Sequence, residues 1–173
     1  MSRIFLRSAR VATWNLEGWA NATDERFQRL QDAIAQLLAS HDIIMLQETR
    51  SDLDFEDLIK SLHPHHTFYW SHPAQLGDGG GVAIAFDNRW LQQFPSVQPC
   101  PFSDARGLTL NLRGPLGALS ICVLHVLPSW TSAQQRRCLQ ACASSLPHFA
   151  DALSTLGGDF NFIVAAGDAI SRA

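Results

Sequence analysis

No apolar run in the 173-residue sequence approaches the roughly 20 residues that a membrane-spanning helix needs; the longest are short pieces such as VAIAF. The opening stretch MSRIFLRSARVATW has arginines at 3, 7 and 10 but no sustained apolar core and no small-residue cleavage pattern, so a secretory leader is not expected. Cysteine is scarce. The four (Cys100, Cys122, Cys138, Cys142) include no closely spaced pair of the kind that holds zinc, and Cys138 and Cys142 stand four apart in a helical-looking segment, awkward for a disulfide. They read as small core residues in a reducing compartment. No charge of one sign dominates either: 13 Lys+Arg stand against 16 Asp+Glu, a net charge of −3. Electrostatics alone therefore argues against a nucleic-acid coat protein or a membrane-surface binder. It leaves room for phosphate chemistry, because a bound divalent cation would reverse the local field. Internal repeats, low-complexity tracts and Pro/Gly-rich linkers are also missing. The expectation is an intracellular protein, nuclear or cytoplasmic, with no membrane and no obligate protein partner indicated.

What is present is a balance that supports a core: 46% hydrophobic residues against 17% charged, in a length suited to one domain. A chain of this size can bury roughly 70% of its unfolded surface. Short β-type runs alternate with helical stripes. ARVATWN (9–15) is a strand. Residues 23–40 form a helix opened by Thr23, with Phe27, Leu30, Ile34, Leu37 and Leu38 on one face. DIIMLQ (42–47) and GVAIAF (81–86) are continuous apolar runs, as in strands covered on both faces. A short helix over 54–62 and an aromatic strand over 67–71 lie between them. GLTLNL (107–112) and ALSICVLHV (118–126), separated by RGPLG, predict a hairpin. SAQQRRCLQACASSL (132–146) is helical up to Pro147, and STLGGDF (154–160) is a last strand. The fold class expected is α/β with mixed sheets.

The polar residues fall where these apolar runs stop. VATWN ends on Asn15, DIIMLQ is followed by Glu48, His125 stands near the end of SICVLHV, and the last strand ends on Asp159 and Asn161. Sites in open α/β sheets form beyond the carboxyl ends of strands. Asp, Glu and Asn offer oxygen ligands suited to a hard cation such as Mg²⁺, and one His without paired Cys disfavours zinc. Carboxylates, a cation and an imidazole together suit phosphoester hydrolysis. Singly, each residue has an ordinary alternative: a turn-forming Asn or Asp, a solvated Glu48-Thr49-Arg50 turn, a satisfied core His125.

Four motifs, in order, resemble the endonuclease/exonuclease/phosphatase superfamily, which includes deoxyribonuclease-I-like enzymes, apurinic-site endonucleases and non-LTR retrotransposon endonucleases. They are TWNLEGW (13–19), IIMLQET (43–49), GGGVAIAF (79–86) and LGGDFNFI (156–163), with ICVLHVLPS (121–129) similar to a further His-and-Pro strand end. The resemblance implies a four-layer sandwich, two mixed sheets face to face with helices outside. It implies that Glu48 holds a divalent metal (Mg²⁺, with Mn²⁺ as a substitute), Asn15 supports the metal cluster, and Asp159 orients or activates the attacking water. Asn161 would contact the scissile phosphate and His125 would hydrogen-bond or protonate near the leaving group. The implied function is a metal-dependent phosphoester hydrolase, in particular a DNA endonuclease of retroelement type, with DNA as substrate. The alternatives are a non-catalytic remnant or a phosphatase/sphingomyelinase-like member. Family members continue beyond GDFN to a late aspartate and a Ser-Asp-His-type motif. The expectation for residues 1–173 is thus a single domain lacking its C-terminal portion and inactive as it stands, with Asp168 too near GDFN to replace the late aspartate and His148 the nearest alternative imidazole.

Other polar features carry less. His63, His65 and His66 read as a helix-to-strand loop, and GDGGG (77–81), with no GK[ST] after it, as a flexible approach to the next strand. Arg106 either faces substrate or is an edge-strand charge. Trp14 and Trp70 belong to the core, and Trp130 is the tryptophan placed to contact substrate.

Overall fold

The computed structural model describes residues 8–20, 22–74, 80–115, 117–147 and 153–161. In chain order the elements are β1 (Val11–Asn15), α1 (Asp24–Ser40), β2 (Ile43–Gln47), α2 (Leu53–Leu62), β3 (His66–Ser71), β4 (Val82–Asp87), α3 (Asn88–Leu91), β5 (Ser96–Phe102), β6 (Gly107–Gly114), β7 (Gly117–His125), α4 (Ser132–Ser145) and β8 (Leu153–Asp159). The strands form two mixed sheets in the orders β1-β2-β4-β3 and β5-β6-β7-β8. Each sheet contains one parallel pair joined through a helix, β1-α1-β2 and β7-α4-β8, and otherwise antiparallel pairs. Parallel neighbours need such a crossover, because a tight turn would reverse the chain.

Side-chain alternation sorts the apolar residues into layers. Ile43 and Met45, Val82, Ile84 and Phe86 face Leu108, Leu110, Leu112, Leu119, Ile121 and Val123, so the main core lies between the sheets. The opposite face of the first sheet (Ile44, Leu46, Phe68, Ala83, Ala85) is covered by Leu30, Ile34 and Leu38 of α1 and by Phe55 and Ile59 of α2. Cys138 of α4 covers the outer face of the second sheet at Leu124 and Val126. The four-layer sandwich expected from the resemblance is the observed architecture.

Local chemistry explains where the helices start and stop. Thr23 is the N-cap of α1, although its side chain makes no capping bond, while Thr131 and Gln134 form a full capping box at α4. α4 ends at Ser145 because Leu146, preceding Pro147, is forced to extended backbone. Three cysteines, Cys122, Cys138 and Cys142, are buried and unbridged, with Cys122 Sγ 3.4 Å from Cys142 Sγ. Among the described residues, no helix is long and apolar enough to cross a membrane.

Two elements escaped the sequence reading. α3 is a single turn capped by Asp87, whose carboxylate accepts from Arg89 N–H. β5 contains Pro99 and Pro101, which look like strand breakers. Both occupy alternate positions of an edge strand, opposite Leu110 and Leu108. Alternate N–H groups point the same way, so the missing donors are those of the free edge, where proline costs no ladder bond.

Two outcomes are expected. Phe86 is fully buried, stacked on Trp90 at 5.7 Å between centroids and edge-on to Tyr69. Phe86→Ala should therefore cost about 3–5 kcal/mol in urea unfolding, whereas Leu58→Ala on the exposed side of α2 should stay within about 0.5 kcal/mol. The Arg89 guanidinium, bonded to Asp87 at 2.8 Å, holds that carboxyl down at about 2. A depressed folded value stabilises the fold above the ordinary value near 3.8 and ceases to do so as pH falls toward about 2. Acid titration of stability should accordingly be less steep in Asp87→Asn than in the parent across that window.

Candidate active site

The two crossover units deliver their polar residues to one end of the sandwich. Asn15 is the last residue of β1 and Glu48 follows β2; His125 and Asp159 end β7 and β8 and stand opposite each other in register. Asn15 Nδ2 donates to Glu48 Oε1 and to Asp159 Oδ2, both at 2.9 Å, so one carboxamide bridges a carboxylate from each sheet. Its Oδ1 accepts from the backbone N–H of Glu17 at 2.9 Å. That pattern fixes the amide orientation, because both carboxylates accept and the peptide N–H donates. Asn15 thus stands in the cluster as a crosslink.

Backbone hydrogen bonds run around the same end. The loop after β1 joins the segment after β2 (Leu16 N to Gln47 O, Gly18 N to Glu48 O), which joins the glycines before β4 (Thr49 N to Gly81 O, Arg50 N to Gly80 O). Gly81 N then donates to Ala105 O, His125 N to Arg106 O, and Val126 N to Asp159 O. The side-chain bond from Asn15 to Asp159 closes this belt into a ring.

Glycines allow the close approaches. Gly81 has φ +92°, and a Cβ there would collide with Thr49 Oγ1. A Cβ at Gly158 would strike the Leu124 carbonyl, and one at Gly157 the end of Met45. Glu48, Arg50 and Asn161 hold left-handed φ values of 52°, 49° and 43°. Such backbone costs of order 1–3 kcal/mol per residue and persists where the surroundings over-determine it.

His125 is 1% exposed. Its Nε2 lies 3.3 Å from Glu48 Oε1 but off line for a hydrogen bond, and it is buried without a partner. Its Nδ1 lies 3.3 Å from Arg106 NH1. Burial pushes the imidazole below its usual value, opposed by the Glu48 charge and reinforced by the Arg106 charge. Arg106 is itself buried at the entry to β6, a central strand, which removes the edge-strand reading.

The remaining expected residues are placed differently. Asn161 is exposed, two residues beyond Asp159. Trp130 packs on Leu124, Val126 and Cys138, in the layer beneath α4. His63 caps α2 and meets Gln31 Oε1 at 3.1 Å, while His66 meets the Leu38 carbonyl at 3.3 Å. His148, Asp168 and residues 77–79 of the glycine run lie outside the described residues. The sequence reading missed Arg50, whose NH2 is 3.2 Å from Glu48 Oε2, and the solvated turn it held as the alternative for Glu48 is not what forms, because Thr49 and Ser51 are buried. A charge two residues from Glu48 was the available signal. It also missed His72, which links Ser51 Oγ (3.1 Å) to Glu56 Oε2 (3.0 Å) behind that turn.

The cluster's donors are carboxylate and amide oxygens, which suit a hard cation. Among the described residues, no group of three or more His, Cys, Asp or Glu is arranged to enclose a metal by itself. One or two carboxylates completed by waters and phosphate oxygens are what Mg²⁺ typically takes, so the residues fit that ion.

Two facing mixed sheets with helices outside place the chain in a fold shared with several solved proteins. It matches D. rerio TDP2 complexed with a single-strand DNA product at 17% identity and TM-score 0.62, over 87% of this chain and 60% of that one. It matches ANGEL2, a 2',3'-cyclic phosphatase, in complex with adenosine-2',3'-vanadate, at 18% identity and TM-score 0.66, over 91% and 55%. It matches the human Nocturnin catalytic domain with bound sulfate at 18% identity and TM-score 0.63, over 88% and 64%. The chain belongs to the endonuclease/exonuclease/phosphatase family, whose sequence model matches residues 12–172. Members of this family cleave phosphoesters. No curated protein matches by sequence. The chain spans from 44% to 66% of the length of the structures it resembles.

Replacing Asn15 tests the bridge. Asn15→Asp would set a third carboxylate between two others, and its folded pKa should rise. The variant should lose about 1.5–3 kcal/mol near pH 7. Because a raised acid destabilises only where it is ionised, the deficit should shrink as pH is lowered toward about 4. Urea midpoints at several pH values check both parts.

Proposed function

We propose that this protein hydrolyses phosphoesters with a divalent cation, Mg²⁺ or in its place Mn²⁺, and that its specific form is a DNA endonuclease of retroelement type. The observation that carries the hydrolase reading is the orphaned Nε2 of His125, buried beside two bridged carboxylates. A buried polar atom without a partner is costly unless something it binds arrives from outside. A phosphoryl oxygen supplies the missing acceptor. The DNA reading is supported by the single-strand DNA product bound to TDP2. The retroelement form rests on the TWN, LQE and GDFN motifs alone.

In this reading Glu48 ligates the cation, and Asn15 holds Glu48 and Asp159 at fixed separation. When bound, the cation neutralises charge that develops on the phosphate. Asp159 orients the attacking water and takes up its proton, opposite the leaving group. His125 donates its Nε2–H to a phosphate or leaving oxygen. Asn161, exposed at the end of β8, contacts the phosphate. Arg106 adds positive charge behind His125, and the half-buried Trp130 is the tryptophan assigned to substrate. We also expect the 173-residue chain by itself to turn over poorly, because the cluster of described residues holds one imidazole.

The test is cleavage of supercoiled plasmid, abasic-site DNA and a phosphomonoester with Mg²⁺ or Mn²⁺, by the 173-residue chain and by a version extended to family length. In the active version, Glu48→Gln should raise the metal concentration required, and Asp159→Asn should cut kcat by about 10²–10³ with KM little changed. Unchanged metal dependence in Glu48→Gln would remove Glu48 from the metal site. Preference for the monoester would favour the phosphatase alternative. Vigorous cleavage by the 173-residue chain, abolished in Asp159→Ala, would overturn the expectation of poor turnover.

A further inference from the structure

Arginine has five N–H donors and no acceptor. A guanidinium that bonds an imidazole nitrogen therefore needs a lone pair there, and the ring's single proton must sit on the other nitrogen. At His125 the guanidinium of Arg106 approaches Nδ1 at 3.3 Å, and Nε2 faces Glu48 Oε1 at the same distance. Three further features make this arrangement specific. Arg106 is 6% exposed and His125 1%, so water has little access to either ring nitrogen. The backbone bond from His125 N to Arg106 O, at 2.8 Å, fixes the two residues side by side. Gly80 carries no side chain where a Cβ would stand 3.3 Å from Arg106 Cζ, so the guanidinium lies flat against the chain entering β4.

We infer that Arg106 is a positioning residue that selects the Nε2–H tautomer of His125, and that Gly80 keeps the guanidinium in place to do so. Without that selection the ring could carry its proton on Nδ1 and would present a lone pair to the Glu48 carboxylate and to any phosphate oxygen. Acceptor would then face acceptor, and the site would lose its one buried imidazole donor. The inference deepens the hydrolase reading and rests on it for its consequence, though not for its geometry.

Nitrogen-15 spectra of the histidine rings decide the matter without substrate. The 173-residue chain is measured at mildly alkaline pH, where the imidazole is neutral, with the His125 signals assigned by their loss in His125→Asn. The parent should show a protonated, pyrrole-type Nε2 and an unprotonated, pyridine-type Nδ1. Arg106→Met, which keeps length but removes the donors, should give a tautomer mixture or the Nδ1–H form, and Arg106→Lys should restore the parent pattern. Gly80→Ala, which moves the guanidinium by a few tenths of an ångström, should shift the pattern partway and reads the same effect should Arg106→Met fail to fold. A pyrrole-type Nδ1 in the parent, or an unaltered tautomer in Arg106→Met or in Gly80→Ala, would overturn the inference. In an active version, Arg106→Met should lower kcat by about 10²–10⁴, the range a lost or misdirected proton donor costs, with a smaller change in KM. The expected spectra with no cleavage under any condition would sink the hydrolase reading alone. Cleavage together with an unmoved tautomer would sink this inference alone.

Discussion

Two carboxylates from different sheets approach one another at the end of the sandwich, and like charges at such range repel unless something stands between them. Asn15 is that something. Its amide nitrogen supplies one N–H to Glu48 and the other to Asp159. A hydroxyl could donate only once, and a lysine would donate but add a positive charge between the carboxylates. An asparagine donates twice and stays neutral, so the pair keeps its charge. The same bond completes the hydrogen-bonded ring that ties the loop after β1 to β8, 144 residues away in sequence. Closing a ring this way is what lets strained backbone at Glu48 and Arg50 persist, since neighbours on both sides hold those residues in place.

The two sheets share a construction plan. Each has a parallel pair joined by a helix and two further antiparallel strands, and each parallel pair contributes two polar residues to the site. Parallel strands are useful here because both end on the same side, so one crossover unit can offer two side chains to one ligand. Face-to-face packing then brings the pairs from β1-α1-β2 and β7-α4-β8 together. The apolar alternation of Leu108, Leu110 and Leu112 against Ile43, Met45 and Ile84 therefore sets the spacing of the strand-end polar groups as well as the core. A change in the volume of that layer would move Asn15 relative to Asp159.

Most of the fold was legible because its signals are local. Apolar runs marked β2 and β4, the 3.6-residue stripe marked α1, and Pro147 marked the end of α4. The strand-end pattern put Asn15, Glu48, His125 and Asp159 where their strands stop, and the strands do stop there, since position within a strand is a one-dimensional property. Pairing is not. That Arg106 would lie on the ring of His125, nineteen residues away, depends on the register of β6 against β7, which alternation alone does not number. Burial of Thr49 and Ser51 was equally hidden, because a polar turn reads as solvated until Gly81 is seen to fold over it. β5 was lost for the opposite reason: its prolines carry a strong local signal whose meaning reverses at a sheet edge.

Those prolines have a consequence for how molecules of this protein meet. An open strand edge is a template that invites another chain to add itself, and repeated addition builds fibres. Along β5, the positions of Pro99 and Pro101 offer carbonyls but no amide protons outward, so an approaching strand finds two of the donors it needs missing. This hindrance to lateral growth from β5 comes from covalent structure and not from charge, so it does not depend on pH or salt.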